Sequence, residues 1–119
     1  MFPASLLARL FVKGSLKNTG NGFELKLKNI IDSGTLVGLG PLVVDDIQYA
    51  PGAFKVKTGE AEVRADQITR TTPFPIRSFV ETLITVEGTP LQPGLHKLGF
   101  LIYTREVGRI QFSLAEPLS

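Results

Sequence analysis

The sequence predicts an all-β fold: a single-domain antiparallel β-sandwich of about eight short strands spanning residues 1–119, with a closed β-barrel as the alternative. Three observations carry this reading. Apolar and polar residues alternate with period two in several segments, Gly, Pro and Asn fall between those segments, and no stretch sustains the 3.6-residue period of a long helix.

Taken in order, "LFVKGSLKNT" (10–19) is the expected partner of "GFELKLKN", where Phe23, Leu25 and Leu27 alternate with Glu24, Lys26 and Lys28. The intervening "NTGNG" (18–22) supplies residues that tolerate positive φ, so a hairpin is expected there. The segment 29–41, "NIIDSGTLVGLGP", carries Gly34, Gly38 and Gly40 and ends in Pro41, which argues against a long helix. Further strands are expected at 42–48, 54–57, 61–64, 80–87 and 95–104, with at most one helical turn at "RADQI" (64–68). The strand 95–104 is apolar on both faces, with Leu98, Phe100 and Ile102 on one and Leu101 and Tyr103 on the other. It therefore sits centrally or carries a second interface. "REVG" (105–108) reads as the turn into a last alternating strand, where Ile110, Phe112 and Leu114 point inward.

A chain of 119 residues buries roughly two thirds of its unfolded surface, enough for one core. At 43% hydrophobic and 20% charged residues it has the composition of a globular protein. With no cysteine, disulfides and thiolate chemistry are excluded. A net charge of +2 is too small to mark a polyanion binder. "MFPASLLARLFVKG" lacks a basic leading region and carries Pro3 and Arg9 in its apolar part, so it reads as mature protein rather than a signal peptide. No apolar run approaches the ~18 to 20 residues of a membrane helix. A soluble cytoplasmic protein is expected, with no membrane and no nucleic-acid partner.

Candidate chemistry is sparse. His96 is the one histidine, at the start of strand 95–104 in "TPLQPGLHKLGF", and period two points it to the same face as Leu98 and Phe100. A hydrogen-bonded, partly buried imidazole is expected there, rather than a catalytic base or metal ligand. The adjacent carboxylates Asp45 and Asp46 point to opposite faces if they lie in a strand, and serve backbone hydrogen bonding if they lie in a turn. Glu60, Glu62 and Asp66 form a looser acidic edge. "GLG" (38–40) lacks the third glycine and following helix of a phosphate loop. Lys13, Lys17, Lys26 and Lys28 could form a basic stripe, but without interleaved aromatics they read as edge lysines. In "RTTPFPIRSF" (70–79), two prolines separate Phe74 and Ile76 from any regular strand, leaving apolar groups in a loop that plugs the sandwich or docks on a partner. The partner-binding residues expected are Phe74, Ile76, Phe79, Leu101 and Tyr103. No catalytic, metal or cofactor residue is assigned.

The order "GSLKNTGNGFELKLKN", then "LVVDDIQY", then "TPLQPGLHKLGFLIYTRE" resembles the small (β) subunit family of bacterial C-glycoside deglycosidases over residues 14–114. Ser15, Leu16, Asn18, Gly22, Phe23, Asp45, Leu91, Gly94 and His96 carry the resemblance, while Asp46 stands where that family has a turn glycine. The resemblance implies an all-β subunit that assembles with a larger sugar-isomerase-like barrel. That barrel would hold the divalent metal and the acid/base residues, so no catalytic residue transfers to this chain. The expected function is accordingly a non-catalytic sandwich subunit or interaction domain, partnered by a larger catalytic subunit, by copies of itself, or by both. The alternative is a stand-alone carbohydrate or small-ligand module.

Overall fold

Two antiparallel sheets face each other across the apolar interior of the molecule. The computed structural model describes residues 2–59 and 61–118. A short helix α1 (Ala4–Ala8) precedes β1 (Lys17–Thr19), β2 (Gly22–Lys28), β3 (Gly34–Leu39), β4 (Leu42–Val44) and β5 (Ile47–Tyr49). Then come β6 (Phe54–Thr58), β7 (Ala61–Arg64), β8 (Phe74–Ile76), β9 (Glu81–Glu87), β10 (Gly94–Thr104) and β11 (Gly108–Leu118). The first sheet has the order β1-β2-β9-β6-β7. In the second, β5-β4-β10-β3-β8, strands β3 and β4 share one edge of β10 and β11 covers the other. Among the described residues the sheets do not close into a barrel, and no helix is long and apolar enough to cross a membrane.

The sandwich stands, with eleven strands among the described residues rather than about eight. Three corrections account for the difference. Residues 42–48 form a hairpin, β4–β5, because Asp45 and Asp46 both adopt positive φ (51° and 70°) in a two-residue turn, as a type I′ hairpin requires. The glycine-rich 29–41 segment contains β3, and the 70–79 loop contains β8, an edge strand that tolerates Pro75. The "NTGNG" hairpin forms, but neither Gly20 nor Asn21 uses positive φ.

Segment 10–19 pairs with β2 in two pieces. β1 matches Lys17–Thr19 to 22–24, and Phe11 bridges to Leu27 further along. Between them the chain turns, and the Ser15 hydroxyl accepts the Lys26 N–H at 3.0 Å in place of a ladder bond. The core follows the alternation: Phe23, Leu25, Val56 and Val86 from the first sheet meet Val44 and Leu98 from the second. Leu7, Leu10 and Phe11 close the side of this core.

β10 and β9 run in opposite senses past the same core and thereby define two ends of the sandwich. One end gathers the β4–β5 turn, the start of β10 and the end of β11. The other gathers the 29–33 loop, the start of β9 and the β10–β11 turn.

Candidate functional site

At the first end, His96 is only 7% exposed and points inward from β10. Its Nδ1 lies 2.5 Å from Asp45 Oδ2, and its Nε2 lies 2.6 Å from the Gln92 carbonyl oxygen. A carbonyl and an ionised carboxylate only accept hydrogen bonds, so both ring nitrogens must donate and the imidazole is held as imidazolium. No nitrogen is left to take a proton from a substrate. Asp45 also accepts the Lys97 N–H through Oδ1 at 2.8 Å, while its own N–H donates to the Lys97 carbonyl at 2.9 Å. Directly across the ladder from His96 stands Glu116, buried, its Oε2 accepting the Gly14 N–H at 2.6 Å. The group clamps the β4–β5 turn, the 89–93 loop and the 13–16 turn onto the end of the β10–β11 ladder.

The hydrogen bonds its ring donates to Asp45 and to the Gln92 carbonyl push the His96 pKa up, and those from the Lys97 N–H and His96 hold Asp45 below the usual carboxylate range. A raised histidine pKa stabilises the fold fully below about 6.5, the unfolded value, and that stability is lost as pH rises through the folded value. The lowered Asp45 pKa acts in the opposite direction: its contribution is present above about 4 and is lost in more acidic solution. With one histidine in the chain, the basic limb belongs to His96. The melting temperature of the wild type should fall by roughly 4 °C between about pH 6 and pH 9, and His96→Gln should flatten that limb. A wild-type curve as flat as the variant's would contradict the imidazolium assignment.

At the opposite end the sheets leave a cleft of about 280 Å³. Its walls come from Phe54, Val56 and Ile84 of the first sheet and from Leu36, Phe100, Ile102 and Ile110 of the second. Its mouth is framed by the 29–33 loop and the β10–β11 turn, whose polar groups are already engaged. Asn29 Nδ2 donates to the Asp32 carbonyl at 2.6 Å, and Asp32 Oδ1 accepts the Ser33 N–H at 2.7 Å. Glu106 accepts both the N–H and the hydroxyl of Thr35, at 2.8 and 2.9 Å, and these bonds hold its pKa below the usual range.

The five residues expected to bind a partner fall in three places. Phe74 is buried in the core, so it cannot meet a partner, and Ile76 is half-buried in the cleft wall. Phe79 is 68% exposed at positive φ (62°), its N–H bonded to the Asn29 carbonyl beside the cleft mouth. Leu101 and Tyr103 share the outer face of the second sheet with Leu95, which is 71% exposed. A Cβ on Gly40 would come within 2.5 Å of Leu101, and one on Gly38 within 3.5 Å of Tyr103, so these glycines let the two larger side chains lie across the neighbouring strand. That is the role of "GLG". Lys17 and Lys26 of the basic stripe each have a carboxylate within 4 Å, Glu24 at 3.7 Å and Glu81 at 3.9 Å. Of the acidic edge, Glu62 is exposed, Asp66 pairs with Arg64 at 2.6 Å, and Glu60 lies outside the described residues. Sequence reading missed the Asp45–His96 pair and the cleft. The first was signalled only by "DD" between two apolar runs, and the second by nothing local.

A family model described as hydroxymethylglutaryl-CoA reductase, N-terminal domain, matches residues 6–119. The chain belongs to this family. No match was found among the curated proteins. Membership of the reductase N-terminal-domain family overturns the resemblance to C-glycoside deglycosidase small subunits. The residues behind that resemblance explain the error, because they bond or pack against one another. Asn18 exchanges two 2.8 Å hydrogen bonds with the Leu91 backbone, Asp45 binds His96, and Gly22 and Phe23 seat β2 against β9. Such residues set strand register and turns in a sandwich whatever its activity.

Proposed function

We propose that this member of the reductase N-terminal-domain family is a non-catalytic interaction domain that docks through the outer face of its second sheet. The observation that carries the proposal is the composition of that face. Leu95, Leu101 and Tyr103 line up along β10, Val43 packs over Gly99, and Ser113, Ala115 and Pro117 continue the surface on β11. Lys97 and Arg109 are the charged side chains that these two strands present outward. A surface of mainly apolar and small side chains with few charges is the composition of a protein interface. The family description, a domain of a reductase, supports a module that works beside another chain or another copy of itself. A cysteine-free chain suits the reducing cytoplasm, the setting proposed for it.

Light scattering tests the proposal directly. The purified chain should run as a dimer or larger at about 100 μM, or enter a stable complex when co-expressed with the catalytic part of a reductase. Leu101→Glu combined with Tyr103→Glu should abolish that assembly while leaving the circular dichroism spectrum unchanged. A wild type that stays monomeric in both settings, or an assembly untouched by the double substitution, would sink the idea.

A further inference from the structure

The cleft between the sheets supports an inference independent of the docking face. Sandwich interiors are packed with few voids larger than a water molecule, so an open, apolar volume of about 280 Å³ is a departure that calls for an occupant. One polar side chain faces it from the wall just inside the mouth. Thr82 is 6% exposed on the inward face of β9 and lines the cleft. A hydroxyl on an otherwise apolar wall gives a ligand one hydrogen-bonding point and so fixes its orientation.

Position decides the orientation of the occupant. Glu81 pairs with Lys28 at the mouth end of β9, so Thr82 is the first inward residue there, with Ile84 one step deeper. A polar group held by Thr82 therefore sits near the mouth, and the rest of the molecule extends inward along Ile84, Val56, Phe54 and Phe100. Charge decides the head group. Asp32 and Glu106 frame the mouth against one lysine, Lys28, which disfavours an anion. Size decides the body. A cavity of about 150 Å³ holds benzene, so this one takes roughly a dozen non-hydrogen atoms.

We propose that the inter-sheet cleft binds a neutral amphiphile of medium length: a hydrocarbon body of roughly a dozen heavy atoms with one hydroxyl or carbonyl hydrogen-bonded to Thr82. The probe is 1-decanol, with decanoate as its anionic counterpart and sorbitol as a polyhydroxylated control. Amide and methyl chemical shifts should move saturably with 1-decanol at Ile84, Val56 and Ile110, the melting temperature should rise, and decanoate should bind at least about tenfold more weakly. Thr82→Val keeps the side-chain shape and removes the hydroxyl, so it should weaken 1-decanol binding about fivefold. Val56→Phe fills the cleft and should abolish binding. Because overpacking can unfold a sandwich, the decisive results come from the wild type. Absence of saturable 1-decanol binding overturns the proposal, as does binding that leaves the Ile84 and Val56 signals unmoved. Decanoate or sorbitol binding as tightly as 1-decanol overturns the neutral-amphiphile assignment, and an unchanged affinity in Thr82→Val overturns the role of the hydroxyl. None of these readouts depends on the oligomeric state, so failure here is distinguishable from failure of the docking face.

Discussion

Phe23→Ala is expected to destabilise the fold by about 4 kcal/mol, the largest effect of any truncation proposed here. Phe23 is 0% exposed, one strand in from the edge of the first sheet, where it meets the ring of Tyr49 edge-on at a centroid separation of 5.4 Å. Removing the ring forfeits its transfer energy and leaves a hole that the ladder cannot fill, because β2 is bonded to β9 over seven residue pairs. The Tyr49 contact bridges the two sheets, since Tyr49 belongs to β5 of the second, so the loss is felt on both sides. Urea denaturation of the variant should show a lower midpoint with an unchanged slope. A loss under about 1.5 kcal/mol would mean that this side of the core can collapse, contrary to the packing described.

Gly22→Ala should cost about 3 kcal/mol by the opposite mechanism, collision rather than cavity. A Cβ at residue 22 would stand 1.9 Å from the Val86 carbonyl oxygen and 3.1 Å from the Gly88 nitrogen. Both are backbone atoms of β9 or its exit, so no rotamer change relieves the clash. The end of the β2–β9 ladder must separate, and the register beside Phe23 with it. Gly20→Ala is the matched control: its Cβ would meet nothing within 4 Å and its φ is not positive, so the change should lie within about 0.5 kcal/mol of neutral. Thermal melts of the two variants side by side settle the point. Equal melting temperatures would show that β9 yields more readily than a paired strand should.

The alternating strands were legible because a strand with one face in the core must place apolar groups at every second residue. β2 and most of the inward rows of β9, β10 and β11 satisfy that rule, the exceptions being Thr82, His96 and Glu116. β3 and β8 were not legible. Gly34 and Gly38 lower the intrinsic strand preference of one, and Pro73 and Pro75 mark the other as a loop. Each becomes a strand only because a neighbour supplies the pairing: β10 for β3, and β3 for β8. The inward direction of His96 followed from the period, but its partners Asp45 and Glu116 lie 51 and 20 positions away and meet it only through strand register.

Residue types and their spacing determined the all-β class, the first and last hairpin turns, most of the buried rows and the absence of thiol chemistry, because these depend on local chemistry and period alone. Tertiary structure decided what no local rule encodes. It set the pairing of Asp45 with the imidazolium of His96, placed Phe74 in the core and Leu101 and Tyr103 on a shared outer face, and left a cleft above Thr82. Each of these is a relation between residues distant in the chain. A void in particular is a property of the distance between two sheets, which no single strand contains.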